Sequence, residues 1–133
     1  MSVIRPAPFL RQALLADAVT TAACALLFLL AAGPLEGLVG LPSGLLRAAG
    51  AILAPFSAFL AVLATRETLT RPAVWAVIAV NATRVADSVL LLFSGWVEPT
   101  PAGTALVLAQ AVAVAMYAEL QYRGLKRSSG AVA

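Results

Sequence analysis

The residues best able to do chemistry are the few charged or polar side chains set inside long apolar runs. Arg84 lies near the middle of the run from Ala73 to Phe93, with Asn81, Asp87 and Ser88 around it. A second acid, Asp17, lies inside the run from Ala13 to Ala32, and Gln110 inside the run from Thr104 to Tyr122. An ionised group at membrane depth needs a partner and marks a polar site. One acid is enough to neutralise Arg84, which leaves the other to titrate or to bind a cation. The same cluster also has a purely structural use, because polar side chains between membrane helices hold them in register.

Other reaction classes find little support. Histidine is absent, which removes the usual zinc and haem ligand and the commonest general base. Cys24 is the single cysteine, so no intrachain disulfide can form, and it reads as a small buried apolar residue. No serine or cysteine has a base beside it, and neither a phosphate loop nor a metal-ligand spacing occurs. The expectation is therefore a chain that is not an enzyme, with no cofactor and no metal.

The elements that carry the cluster follow from composition. The chain is 62% hydrophobic and 11% charged, with mean hydropathy +0.96. A helix needs about 20 apolar residues to cross a hydrocarbon core of about 30 Å. Four runs reach that length: Ala13 to Ala32, Leu45 to Ala64, Ala73 to Phe93 and Thr104 to Tyr122. The expected fold is all-α, a four-transmembrane-helix bundle in a single domain over 1–133. Its approximate spans are 11–32, 45–65, 73–95 and 104–123, followed by a flexible tail at 126–133. The first run exceeds the roughly 7–15 apolar residues of a cleavable signal peptide and contains Asp17, so it reads as a span.

Gly33-Pro34, Gly37, Gly40, Pro42 and Gly44 mark the first connection, Thr65 to Pro72 the second and Gly95 to Gly103 the third. Ser43 or Thr70 could cap the following helices, and Pro72 suits a first turn. Pro55 falls inside the second span and predicts a kink, with a freed carbonyl near Ala51 for Ser57 or a neighbouring helix to satisfy.

Orientation follows from the cations. Arg5, Arg11, Arg66, Arg71, Arg123, Lys126 and Arg127 fall on one side, while Arg47, Glu36 and Glu98 fall on the other. The positive-inside tendency places both termini in the cytoplasm and the chain in a plasma (inner) membrane. The net charge of +3 is then a topology signal rather than a nucleic-acid footprint. The expected partners are the lipid bilayer and further membrane subunits, either second copies of this chain or a larger complex.

The third span is marginal on its own. Arg84 and Asp87 each cost roughly 2.5–3.5 kcal/mol near a helix centre, against about 0.3–0.6 returned by each Leu, Ile, Val or Phe. Trp75 and Trp96 bracket it as interfacial anchors. At about 100° per residue, Asp87 projects to one side of Arg84, with Asn81 and Ser88 on the other. Thr20, Thr21 and Thr83 can add hydrogen bonds, and Arg84 can reach either acid. Alanine pairs four apart (Ala18/Ala22, Ala54/Ala58, Ala82/Ala86, Ala105/Ala109/Ala113) suggest tight helix packing. Tyr117, Glu119, Gln121 and Tyr122 read as a solvated interfacial belt.

Two resemblances can be stated. Asn81, the following Ser88 with its leucine run, Gln110 in an alanine-rich fourth span, and the ending Leu120 to Gly124 resemble small uncharacterised bacterial four-span integral membrane proteins, a likeness that implies no activity. Leu15-Ala16-Asp17 is similar to the acid-bearing first helix of small multidrug resistance transporters, with Asp in place of that family's Glu. That likeness implies a small proton-coupled transporter as the alternative to a structural or accessory membrane subunit.

Overall fold

The structure is a computed structural model that describes residues 3–95 and 97–130. Four long helices make up most of it: α1 (Pro8–Leu30), α3 (Ser43–Thr65), α4 (Arg71–Phe93) and α5 (Pro101–Arg127). Each is long and apolar enough to cross a membrane, with mean hydropathy 2.1, 1.9, 1.6 and 1.5 in chain order. Prolines sit in the first turns of α1, α4 and α5, where a missing N–H costs nothing. Thr70 and Thr100 cap α4 and α5 by accepting from the Ala73 and Gly103 amides. Ser43 instead lies inside α3, whose flanking residue is Pro42.

The first connection is helical where the glycines and Pro34 pointed to a loop. α2 (Ala32–Val39) tolerates Pro34 because a proline in the first turn breaks no intrahelical hydrogen bond. Its end is tied to α5: Thr100 donates from its hydroxyl to the Leu38 carbonyl at 2.7 Å and from its amide to the Val39 carbonyl at 3.0 Å. The helix α3 continues through Pro55, and the Ser57 hydroxyl donates to the Ala54 carbonyl at 2.7 Å.

In the bundle α3 packs on α1, α1 on α5 and α5 on α4, while α3 and α4 approach each other little. The close approaches are made by glycine. A methyl group on Gly124 of α5 would lie 2.7 Å from the Leu10 backbone of α1, and one on Gly50 of α3 would lie 2.9 Å from the Leu29 side chain. The alanine pairs do less than their spacing suggested. Ala82 and Ala86 lie on the outer surface, as do Ala105 and Ala109.

At one end of the bundle three short strands pair antiparallel in the order β2-β1-β3: β1 (Val3–Arg5), β2 (Leu69–Thr70) and β3 (Ser129–Gly130). They bind both chain ends to the α3–α4 connection, with Ile4 fully buried beside Leu10, Leu69 and Leu125. Arg11 reinforces this end by donating to the Ala64 and Arg66 carbonyls at the close of α3. Of the segment 126–133 expected to be a flexible tail, 126–127 close α5 and Ser129–Gly130 pair as β3, while 131–133 lie outside the described residues. Trp96 lies outside the described residues.

Apolar side chains cover the exterior as well as filling the core, and a small polar group lies within that core. Leu30, Ile52 and Phe93 are 82%, 70% and 84% exposed, whereas Asp17, Thr21, Asn81 and Gln121 are enclosed.

Candidate functional site

Helical spacing builds the polar core. The buried stripe of α1 runs through Leu10, Leu14, Asp17, Thr21 and Phe28, steps of three, four or seven that keep one face inward. On α4 the same stepping aligns Val74, Val77, Asn81 and Arg84, and on α5 it aligns Val114, Gln121 and Gly124's neighbourhood. Asp17 and Asn81 each lie roughly 15 Å into helices that start at the same end, so they meet at one level.

Asp17 is the hub, fully buried. Its Oδ2 accepts from Asn81 Nδ2 and from Gln121 Nε2, both at 2.7 Å, and its Oδ1 accepts from the Thr21 hydroxyl at 2.9 Å. The second Asn81 hydrogen goes to Gln121 Oε1 at 2.9 Å, which closes a ring across α1, α4 and α5. Arg84 completes it from the side. Its Nη1 lies 4.0 Å from Asp17 Oδ1 and donates at 3.4 Å to both Thr21 Oγ1 and Asn81 Oδ1. The guanidinium also sits over the Phe56 ring, 6.0 Å from its centre.

Distances separate the roles. The two amide contacts are in the range of charge-assisted hydrogen bonds, about 2.7–2.9 Å, whereas the guanidinium stands at the outer limit of an ion pair. The amides and Thr21 replace the water that Asp17 has lost, and Arg84 balances its charge. Among the described residues no buried side-chain nitrogen or oxygen lacks a partner. A network whose buried polar atoms all have partners is stabilising.

The expected cluster divides in two. Asp17, Asn81 and Arg84 come together, and Thr21 joins them. Asp87, Ser88 and Gln110 do not enter the ring; with Arg84 they line a cavity of about 250 Å³. Its apolar walls include Leu46 and Leu53 of α3, Leu91 of α4, and Val107 and Val114 of α5. The Ser88 hydroxyl donates to the Arg84 carbonyl at 2.8 Å, while Asp87 is exposed and has no partner among the described residues. Thr20 pairs with the Tyr117 hydroxyl at 2.7 Å, and Thr83 bonds back to Ala79.

Gln121 is the member that sequence reasoning assigned elsewhere. It was placed in the interfacial belt because the apolar run stops at Tyr122, yet α5 continues to Arg127 and carries Gln121 inside. A signal was available: Val114, Gln121 and Gly124 stand seven and three apart, on one helix face. Glu119 does lie on the solvated side, paired with Arg123 at 2.7 Å.

The chain matches no protein-family model, no curated protein and no solved structure.

Proposed function

We propose that the chain is an integral membrane protein, with both termini cytoplasmic, acting as a structural or accessory subunit whose Asp17 ring locks its helices together. The observation that carries this reading is the complete satisfaction of a fully buried carboxylate by donors from three helices. An apolar exterior suits lipid, which cannot hydrogen-bond, and the polar groups then belong inside. The basic residues of one end, including Arg5, Arg11, Arg123 and Lys126, support the orientation. The likeness to small bacterial four-span proteins fits a bacterial plasma membrane.

One observation favours a second reading, a small proton-coupled transporter. Asp17 is fully engaged, so Asp87 is the surplus acid, and it borders the cavity without a partner among the described residues. Vesicles containing the purified protein and an imposed pH gradient decide between the two. The locking reading expects the gradient to persist when a panel of hydrophobic cations is added. Dissipation that is lost in Asp87→Asn would establish the transporter instead.

A further inference from the structure

The cavity beside the ring carries features the locking reading leaves unused. Arg84 spends only Nη1 on Thr21, Asn81 and Asp17. Its Nε and Nη2 have no partner among the described residues and are not enclosed, and Arg84 lines the cavity, so both are free to donate to a ligand there. Asp87 lines the same cavity three residues on, where side chains of one helix are neighbours about 5–6 Å apart at Cβ. No ion pair joins the two, which leaves a cationic fork and a carboxylate side by side against an apolar wall.

The charges select among ligands. A hydrophobic cation would satisfy Asp87 but would leave the Arg84 donors bare and sit beside a like charge. An anion would satisfy Arg84 but meet Asp87. A molecule with an oxyanion and an ammonium on adjacent atoms answers both. Its carboxylate can accept two parallel bonds from Nε and Nη2, the geometry a guanidinium fork offers best. Its ammonium can donate to Asp87, and Ser88 and Gln110 offer further polar atoms. The volume of about 250 Å³ is below the roughly 300–1,000 Å³ of drug-sized sites, which calls for a small body.

We propose that this cavity binds a free α-amino acid with an apolar side chain, carboxylate on Arg84 and ammonium on Asp87, its side chain against Leu53, Val107 and Val114. The site shares Arg84 with the Asp17 ring, whereas Asp87 takes no part in the ring, so Asp87→Asn tests the site separately from the lock.

Leucine is the probe, with the full chain in phosphatidylcholine–phosphatidylglycerol nanodiscs and radiolabelled leucine binding as the readout. Saturable binding is expected, displaced by unlabelled leucine. Neither 3-methylbutylamine, which lacks the carboxylate, nor 4-methylpentanoate, which lacks the ammonium, should displace it at equal concentration. Asp87→Asn and Arg84→Lys should each weaken binding about tenfold or more, the worth of one charge-assisted contact. Asp87→Asn should melt as the wild type does, so its loss cannot be attributed to misfolding. The proposal is overturned by no saturable binding to cooperatively melting wild type, by equal displacement with either analogue, or by unchanged binding in Asp87→Asn. A rise in melting temperature when phosphatidylethanolamine is added to the nanodiscs, with no rise on adding leucine, would assign the site to a lipid headgroup and overturn it as well.

Discussion

Asp17 and Asp87 have similar surroundings in the sequence, Leu15-Ala16-Asp17-Ala18-Val19 and Val85-Ala86-Asp87-Ser88-Val89, yet one is enclosed and the other exposed. The difference lies in what faces them. Asp17 meets two amides, a hydroxyl and a guanidinium, and Asp87 meets a cavity. Three of the ring's members were legible because a polar residue in an apolar run stands out by contrast. The partner acid was not, since spacing alone let Arg84 reach either. Removing Arg84 leaves Asp17 as an uncompensated buried charge, which costs about 3–5 kcal/mol. Arg84→Leu should therefore lower unfolding stability in detergent more than Arg84→Leu combined with Asp17→Asn. Arg84→Leu combined with Asp87→Asn should recover nothing. A double-mutant cycle measures both, and equal coupling to the two acids would contradict the geometry.

At the scale of elements, hydropathy located all four long helices, but their ends were off by several residues where charge and helix continue together. The fourth apolar run ends at Tyr122, whereas the backbone stays helical through Arg123, Lys126 and Arg127. The short strands are too brief for a period to register, and α2 is both brief and punctuated by Gly33, Pro34 and Gly37. Contact between helices was misjudged for a related reason: alanine is so common here that its spacing carries little information. Glycine carries more. A β-carbon on Gly124 would strike the Leu10 backbone, which cannot move aside without shifting α1. Gly124→Leu should cost roughly 1–3 kcal/mol as overpacking, while Gly37→Ala, with open space around it, should leave stability unchanged or raise it slightly. Paired thermal melts check this, and equal effects would mean that α1 and α5 do not meet at Gly124.

The whole molecule is apolar outside and largely apolar within, with one polar knot between its helices, and most of its cations lie at the end where the three short strands join β1 and β3 to the α3–α4 connection. Reporter fusions at the two termini should read cytoplasmic, and one inserted near Pro99 should read external; a terminus found outside would reverse the orientation. The central claim is that the Asp17 ring holds the helices together, and two glutamines on one helix test it most directly. Gln121 donates to Asp17 from a fully buried position, whereas Gln110 borders the cavity and belongs to no hydrogen bond among the described residues. Unfolding free energies should be measured for Gln121→Leu and Gln110→Leu in the same bilayer mimetic. The account predicts a loss of about 1–3 kcal/mol for Gln121→Leu, which strips a donor from a buried carboxylate, and no loss for Gln110→Leu. Equal stability of the two variants, or a greater loss in Gln110→Leu, would contradict it.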